Sequence, residues 1–252
     1  MAFKAVGIIP ARWGSTRFPG KPLRAIAGKP LLQHVWERCT RAKRLDAVII
    51  ATDDIRIAEA AFEWGAEVSL TSRRHRSGTD RLGEVASKAP EFTHILNIQG
   101  DEPMTDPKLL DRLVGALEDD PALEMVTAAH RFRSDAEAAS PHQVKVVLNA
   151  NREALYFSRS LIPFVRDGSA KPTYLRHQGI YGYTRDLLLR FVRWKPSPLE
   201  HAESLEQLRA LENGVRIHVL VTNTGSPGID TPEDAAALEK ILARAGRKEG
   251  RR

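Results

Sequence analysis

The 252-residue sequence contains a single cysteine, Cys39. A disulfide within the chain is therefore excluded, and nothing in the sequence indicates an oxidising compartment. Long apolar runs are also lacking, because no segment approaches the roughly 18 residues that a membrane-spanning helix needs. The apolar run near the N-terminus ends at Pro10 and is too short for the core of a signal peptide. We expect a cytoplasmic protein with no membrane partner.

Outside the last nine residues, positive and negative side chains nearly balance. The formal net charge is +6, and residues 244–252 supply +4 of it through five cations and one anion. Such a basic tail can contact nucleic acid, but a solvated helix end is the simpler interpretation. The sequence has no recognisable nucleic-acid-binding motif, so a nucleic-acid-binding module is the weakest of the functional alternatives. Cys/His spacings typical of zinc sites are missing as well.

The composition is that of a globular protein, with 42% hydrophobic and 28% charged residues. Short apolar runs alternate with segments of helical periodicity, which predicts an α/β fold with a doubly wound, mostly parallel sheet. In such a sheet, ligands bind at the carboxyl ends of the strands. The predicted strands are Val6–Ile9, Ala47–Ala51, Glu67–Leu70, His94–Ile98, Met125–Ala129 and Ile217–Thr222. The predicted helices are Pro30–Arg41, Ile55–Trp64, Asp80–Ala89, Pro107–Leu117 and one that begins near Pro232.

The middle of the chain follows a different pattern, which predicts a smaller α+β insertion. Its predicted elements are the strands Gln143–Leu148 and Ala154–Ser158, the turn Asn149–Asn151, a loop over Pro163–Pro172 and the extended segment Tyr174–Tyr183. We therefore divide the chain by function into four parts. These are a nucleotide-binding core (1–140), a sugar-binding and dimerisation insertion (141–215), a return to the core (216–243) and a basic tail (244–252).

A loop that follows the first strand combines small residues with cations. Residues 10–23 read PARWGSTRFPGKPL, and Arg12, Arg17 and Lys21 are the cations. Backbone amides that can approach an anion, together with cationic side chains, are suited to a triphosphate. The loop is not a Walker A motif, because five residues separate Gly14 from Gly20 and Pro22 follows Lys21. From these residues alone, phosphate binding and an ordinary basic surface loop are both open.

Three further segments carry polar side chains next to predicted elements. Residues 75–81, HRSGTDR, contain possible helix caps in Ser77 and Thr79. Residues 99–103, QGDEP, place Asp101 after a predicted strand, where a carboxylate can bind a metal near phosphates. Residues 228–234, GIDTPED, contain a possible cap in Thr231 and leave Asp230 without such a structural explanation.

These four segments, in this order, resemble those of the 3-deoxy-manno-octulosonate (Kdo) cytidylyltransferases. The resemblance runs from Ile8 to about Asp234 and leaves the basic tail outside it. It implies a nucleotidyltransferase that joins CTP to an acidic sugar and releases pyrophosphate. It also implies a Mg²⁺ cofactor held by Asp101 and Asp230, and it implies a homodimer formed through the insertion.

The resemblance assigns residues to each substrate. Arg12 and Lys21 would hold the triphosphate and, with the two metal ligands, carry catalysis. The remaining nucleotide-binding residues would be Ser15, Thr16, Arg73, Ser77, Gly78, Thr79, Gln99 and Asp101. The sugar would be bound by Gln99, Arg159, Arg166, His177, Tyr181, Glu206 and Gln207.

Several of the sugar-site residues also have ordinary structural interpretations. His177 is equally compatible with a hydrogen-bonded core histidine, and Glu206 with a surface pair to Arg209. The segment around Arg166 departs from the family pattern, since Phe164 and Val165 stand where Trp-Asp is common. The functional alternatives are an enzyme for another sugar, including an amino variant, or for another nucleotide, and a non-catalytic nucleotide-binding protein.

Overall fold

A computed structural model gives the structure of the chain. It describes residues 2–14, 18–167, 172–223 and 225–249, with the side chains of the last helix described to residue 242. The strands are β1 (Ala5–Ala11), β2 (Ala25–Ile26), β3 (Lys29–Pro30), β4 (Ala47–Thr52), β5 (Glu67–Leu70), β6 (His94–Asn97), β7 (Met125–Arg131), β8 (Lys145–Leu148), β9 (Ala154–Ser158), β10 (Leu175–Thr184) and β11 (Ile217–Thr222).

The helices lie mainly between the strands. They are α1 (Leu31–Cys39), α2 (Ile55–Glu63), α3 (Gly78–Lys88), α4 (Pro107–Asp119), α5 (Asp135–Ala139), α6 (Arg185–Phe191), α7 (Pro198–Glu203), α8 (Leu208–Glu212) and α9 (Pro232–Glu249), with a 3₁₀ turn over Lys21–Leu23. A mixed, mostly parallel sheet flanked by helices results, which confirms the predicted α/β fold. Within the described part of the chain, no helix has the length and apolar character needed to cross a membrane.

The chain divides into two compact units. The first unit is formed by residues 1–5, 90–96 and 112–225, and the second by residues 6–89, 97–111 and 226–252. A division by compactness does not test the predicted division by function, which stays a prediction.

In the second unit, β1, β4 and β5 lie side by side in parallel register. β1 is almost wholly buried because its apolar run has no polar alternation, as expected for a strand covered on both faces. Parallel pairing brings the carboxyl ends of these strands to one edge. The loops that follow β1 and β5 therefore begin at that edge, where the predicted phosphate loop lies.

Helix α9 belongs to the same unit, although it is distant in sequence from the strands. Its buried residues Ala235 and Leu238 pack with Ile229, Phe18 and Ile26 in one apolar cluster. This cluster places the segment before α9 next to the loop after β1. Sequence-distant carboxylates and cations are brought together by apolar contacts in this way.

In the first unit, β10 pairs antiparallel with β7, and β7 pairs in parallel with β11. β8 and β9 form an antiparallel hairpin, and β8 also pairs with the start of β10. Gly182 of β10 allows close packing, because a Cβ atom there would lie 2.8 Å from Val126 and 2.9 Å from Leu117. A side chain at Gly182 would require the side chains of Val126 and Leu117 to shift.

Most predicted elements are confirmed, usually to within two residues. β5, β9 and β11 have the predicted bounds, and α9 begins at the predicted Pro232. The prediction for α3 began two residues too late, at Asp80, because Ser77 caps the helix and extends it to Gly78. The short elements β2, β3 and α5–α8 were not predicted. Residues 168–171 of the predicted loop lie outside the described residues.

Candidate active site

A cavity of about 350 Å³ opens in the second unit at the carboxyl edge of its strands. This volume lies within the range of small-molecule sites. Its polar lining comes from the loop after β1, the start of α3 and the loop after β6. The lining includes Arg12, Lys21, Arg76, Ser77, Gln99 and Asp101. Three of the four segments singled out in the sequence therefore border one cavity.

Gly100 lets the loop after β6 approach β1 closely. A Cβ atom at this position would lie 3.1 Å from the carbonyl oxygen of Pro10, which is tighter than ordinary contact. The neighbouring Ile98 donates its backbone N–H to the carbonyl of Ile8 at 3.0 Å. The glycine thus fixes Gln99 and Asp101 beside the end of β1.

Near Lys21, the predicted phosphate loop of residues 10–23 is stabilised by its own backbone. Gly20 adopts φ +66°, a left-handed conformation that favours glycine. A Cβ atom there would also lie 3.2 Å from the indole of Trp13. The backbone N–H of Lys21 donates to Phe18 at 3.1 Å. The predicted nucleotide-binding residues Ser15 and Thr16 lie outside the described residues.

Lys21 joins the two carboxylates that the sequence singled out as metal ligands. Its Nζ lies 2.6 Å from Asp101 Oδ2 and 3.0 Å from Asp230 Oδ1. Burial opposes the positive charge, but Asp101 and then Asp230 outweigh it, so the pKa of Lys21 is raised above its ordinary value. The ammonium group is therefore fully charged at neutral pH.

Asp230 is held in place by the start of α9. The backbone N–H groups of Asp230 and Thr231 both donate to Asp234 Oδ2, at 3.0 and 2.9 Å. Thr231 in turn caps the helix by accepting from the backbone of Asp234, as predicted. The backbone N–H of Ile229 donates to the carbonyl of Asp101 at 2.9 Å, which ties this segment directly to the loop after β6.

The donor set of Asp101 and Asp230 fits a hard divalent cation. Both carboxylates already contact one cationic group, so their oxygens converge on a common point. Mg²⁺ prefers one or two protein carboxylates and completes its shell with water and phosphate oxygens. Within the part of the chain that the structure describes, His, Cys, Asp and Glu form no cluster of three or more that would cage a metal.

Arg12 reaches from the end of β1 to the start of α3. Its guanidinium donates to the carbonyl of Arg76 at 3.1 Å and to that of Ser77 at 2.6 Å. Ser77 also forms a capping box with Asp80, which confirms the predicted helix cap. One arginine thus connects the first and second segments of the sequence.

The other predicted nucleotide-binding residues lie close by in different settings. Gly78 lines the cavity, and a Cβ atom there would lie 3.4 Å from the ring of Pro10. Thr79 is only 3% exposed and faces the interior. Arg73 is exposed and approaches the carbonyl of Asp53 at 3.5 Å, outside the group of cavity-lining residues.

Arg159 and Arg166, both predicted to bind the sugar, lie in the first unit. The guanidinium of Arg159 donates to the backbone carbonyls of Glu203 at 2.8 Å and Pro141 at 3.3 Å, so it is oriented by the main chain. Arg166 is exposed. Among contacts between described residues, Arg159 makes backbone bonds of this kind and Arg166 does not.

His177 and Tyr181 belong to a row of aromatic rings in the first unit. His177 packs edge-on against Phe157 with ring centroids 4.9 Å apart and lies 5.3 Å from the ring of Tyr181. Its Nε2 lies 3.1 Å from Thr127 Oγ1. Burial lowers the pKa of His177 to about 3 and raises that of Tyr181. Both side chains are neutral hydrogen-bonding groups at physiological pH.

Glu206 and Gln207 stand at the start of α8. Glu206 approaches Arg209 at 3.6 Å, the surface pair that the sequence also allowed. Arg209 makes shorter contacts to Glu200, at 2.5 Å, and Gln207 is 6% exposed. Among the described residues, the buried Nε2 of Gln207 has no hydrogen-bond partner. An unsatisfied buried amide is the kind of group that a polyol can satisfy.

Two fully buried cationic side chains were not predicted from the sequence pattern. Lys145 of β8 is fully buried and donates to the carbonyls of Ser140 at 3.0 Å and Gln143 at 2.7 Å. Burial lowers the pKa of Lys145. Arg81 of α3 is also fully buried and lies 3.3 Å from Asp53. The only available signal was position, since Lys145 interrupts an apolar strand and Arg81 lies on the apolar face of a helix.

Comparison with protein families gives a match over most of the chain. A family model described as Cytidylyltransferase matches residues 6–217. A 3-deoxy-manno-octulosonate cytidylyltransferase of Geobacter sulfurreducens is 49% identical over 245 residues, covering 93% of this chain and 96% of that protein. One of the same name from Escherichia coli is 48% identical, with 95% of each chain covered.

Solved structures agree with this assignment. A CMP:2-keto-3-deoxy-manno-octonic acid synthetase complexed with CTP superposes with a TM-score of 0.92 at 45% identity, covering 96% of this chain and 99% of that one. A cytidylyltransferase from Leptospira borgpetersenii shares the fold, with a TM-score of 0.66 at 20% identity. Matched in sequence over nearly its full length and in structure, the chain belongs to the 3-deoxy-manno-octulosonate cytidylyltransferase family.

Proposed function

We propose that the chain transfers the cytidylyl group of CTP to 3-deoxy-manno-octulosonate, forming CMP-Kdo and pyrophosphate. The observation that carries this proposal is the convergence of Lys21, Asp101 and Asp230 at one edge of a cavity that Arg12 also lines. A cation beside two carboxylates supplies both groups that a triphosphate and its metal need. The family relationship supplies the identity of the two substrates.

In the proposed reaction, the anomeric hydroxyl of the sugar attacks the α-phosphorus of CTP and pyrophosphate leaves. Such a transfer depends on alignment and on neutralisation of charge more than on a covalent intermediate. Lys21 and Arg12 would stabilise the negative charge that develops on the leaving pyrophosphate. Ser77, Gly78 and Gln99 border the same cavity and would position the nucleoside.

Mg²⁺ is the proposed cofactor, and Asp101 and Asp230 are its proposed protein ligands. When bound, it would supply a Lewis acid that polarises phosphate oxygen and lowers the pKa of the attacking hydroxyl. When the metal is not bound, the ammonium group of Lys21 contacts both carboxylates and offsets their mutual repulsion. The loop after β6 and the start of α9 are thereby kept at a fixed separation.

The acidic sugar is proposed to bind residues of the first unit. Arg159 would pair with its carboxylate, and the neutral His177 and Tyr181 would bond its hydroxyl groups. Gln207 has an unsatisfied buried amide among the described residues, which suits a further hydroxyl. Arg166 and Glu206 complete the proposed set.

The finer parts of the proposal concern the setting of the reaction. The enzyme is proposed to work in the cytoplasm as a homodimer formed through the insertion of residues 141–215. Its product would serve lipopolysaccharide or capsule synthesis. Sedimentation at several protein concentrations tests the dimer directly, and a monomer at every concentration would contradict it.

The proposed reaction is tested by measuring pyrophosphate release with Mg²⁺, with CTP, UTP or ATP as nucleotide and with a panel of acidic sugars. Release that requires both CTP and Kdo is the expected result. Release with an amino variant of the sugar, or with another nucleotide, would contradict the substrate assignment alone. A folded protein that binds CTP but releases no pyrophosphate with any pair would instead be a non-catalytic nucleotide-binding protein.

A further inference from the structure

The β5–α3 loop, residues 71–77, delivers Ser77 and Arg76 to the cavity. It begins where Thr71 donates its backbone N–H to the carbonyl of Thr52 at 2.9 Å, and it ends where Ser77 caps α3. Within the loop, the backbone N–H of Arg74 donates to Ser72 Oγ at 3.1 Å. A short local bond of this kind shapes a turn but does not fix where the loop stands.

One face of α3 fixes the position of this loop. Arg81, Glu84 and Lys88 are spaced three and four residues apart, so their side chains share one side of the helix. Arg81 contacts the hydroxyl of Thr71, and Lys88 Nζ donates to the carbonyl of Leu70 at 3.3 Å. Both of these contacts hold the junction between β5 and the loop.

Glu84 makes the contacts that reach farthest along the loop. Its Oε2 accepts from the backbone N–H of Ser72 at 2.9 Å and lies 2.5 Å from Nε2 of His75. Because an ionised carboxylate only accepts, Nε2 of His75 carries the hydrogen in this contact. The second oxygen, Oε1, accepts from Lys88 at 2.6 Å. The Glu84 carboxylate therefore contacts the loop at two residues, Ser72 and His75, which are three positions apart.

The charge on Glu84 is stabilised by these same partners. Burial opposes ionisation, but Lys88, the N–H of Ser72 and His75 outweigh it and lower the pKa of Glu84 to about 2. Hydrogen bonds to an ionised group are stronger than neutral ones. Replacing the carboxylate by an amide would weaken the contacts to Ser72 and His75 while keeping the size of the side chain.

The end of this loop forms part of the cavity wall, so contacts that hold the loop also hold that wall. Arg76 and Ser77 follow His75 directly, and their carbonyl groups accept from Arg12. Glu84 itself is not among the residues that line the cavity. Its contacts reach the cavity wall only through the loop, whose last two carbonyl groups also hold Arg12.

We propose that Glu84, through His75 and the backbone of Ser72, is a positioning residue that sets the affinity for CTP. The inference rests on the proposed function, which places the nucleoside against Ser77 and Gly78. A loop that is free to shift would bind the nucleotide at an entropic cost that the anchored loop avoids. Substrate affinity should suffer more than the chemical step.

The test compares Glu84→Gln and His75→Gln with the unaltered chain in steady-state kinetics with CTP. Glu84→Gln is expected to raise KM for CTP by about tenfold and to change kcat by less than about twofold. A folded Glu84→Gln protein with an unchanged KM for CTP would overturn the proposal.

A double-mutant cycle separates positioning from general loosening of the fold. If Glu84 acts through His75, the double variant should raise KM no further than Glu84→Gln alone. Additive increases would show that the two residues act independently and would overturn the proposed route. Glu63→Gln, an exposed change on the neighbouring helix α2, is the matched control and should leave KM unchanged. His75→Gln, a change in the loop itself, keeps the test available if Glu84→Gln folds poorly.

Direct binding of CTP, measured by calorimetry, keeps this inference distinct from the proposed function. Turnover by the unaltered chain with no change in Glu84→Gln would contradict the positioning role alone. No turnover, with a Kd for CTP about tenfold weaker in Glu84→Gln, would contradict the proposed reaction and support the positioning role. Equal Kd values in both proteins would overturn the positioning role whatever the turnover.

Discussion

Lys21 Nζ lies 2.6 Å from Asp101 Oδ2, although 80 positions separate the two residues in sequence. The same ammonium group reaches Asp230, 209 positions away, at 3.0 Å. Three segments of the chain therefore meet at one nitrogen atom. The apolar cluster that packs Phe18 and Ile26 against the start of α9 brings these segments together.

Replacing Lys21 should impair catalysis strongly. Lys21→Ala removes the cation proposed to hold the triphosphate and leaves two carboxylates to repel each other, so kcat/KM for CTP should fall by about a hundredfold or more. Lys29→Ala is the matched control, because Lys29 is a largely exposed cation paired only with Glu37 in the described structure. Steady-state kinetics decide the matter, and equal losses in both variants would contradict a specific role for Lys21.

The proposed metal site predicts a change in metal requirement. Asp101→Asn and Asp230→Asn should each raise the Mg²⁺ concentration needed for half-maximal activity and lower kcat by about a hundredfold, since each removes a charged ligand. Glu233→Gln, an exposed change in the first turn of α9, should leave both values unchanged. Chelation by EDTA should abolish activity, and restoration by Mg²⁺ completes the test. Activity that persists in EDTA would refute the cofactor assignment.

The buried Arg81 should contribute to stability rather than to chemistry. Arg81→Met would leave Asp53 without its ion-pair partner and Thr71 without its contact, so the free energy of unfolding should fall by about 3 kcal/mol. Urea unfolding measures this difference. Arg24→Met, a change at an exposed arginine, should have little effect. Equal stability of the Arg81 variant and the unaltered chain would show that the buried charge is costly enough to cancel its pairing.

Glu84 predicts a defined dependence of stability on pH. Its pKa is lowered from 4.5 to about 2 in the folded chain, so its contribution is fully present above pH 4.5 and is lost as pH falls toward 2. With allowance for partial exposure, Glu84→Gln should cost about 1 to 2 kcal/mol at neutral pH. Urea unfolding at several pH values should show the two proteins converging below pH 4.5. A difference independent of pH would contradict an ionic origin.

His177 predicts the absence of one feature from the pH profile. Its pKa of about 3 keeps the imidazole neutral throughout the working range, so its titration cannot limit activity between pH 5 and 8. The ratio of kcat/KM between the unaltered chain and His177→Asn should therefore be constant over that range. A ratio that changes tenfold per pH unit around 6.5 would show that His177 ionises near its ordinary pKa.

The longer elements could be predicted from sequence because their apolar patterns are strong. Runs such as residues 47–52 have no polar alternation, and the proline at the start of α9 follows a capping threonine. The helices α5 to α8 were missed because five to seven residues are too few to show helical periodicity. β2 and β3 have only two residues each, and their pairing is a local tertiary contact.

The sequence singled out several residues that meet beside the cavity, but not the contacts between them. Asp101 was singled out by its position after a strand, and Asp230 by the resemblance to the family. That Lys21 bridges them could not be read from the sequence, because the contact depends on the packing of α9 against the first loop. The burial of Thr79 and the contacts of Glu84 with the loop before α3 were also not predicted. Both depend on which face of α3 turns inward.

The guanidinium of Arg12 donates two hydrogen bonds to residues 76 and 77, and both acceptors are main-chain carbonyl oxygens. Every amino acid carries a carbonyl group, so a change of side chain at position 76 leaves its bond to Arg12 intact. Pairwise covariation between positions 12 and 76 would therefore be weak, although the two residues are in direct contact. Substitutions in that loop can therefore change the side chains that line the cavity while its backbone contacts with Arg12 persist.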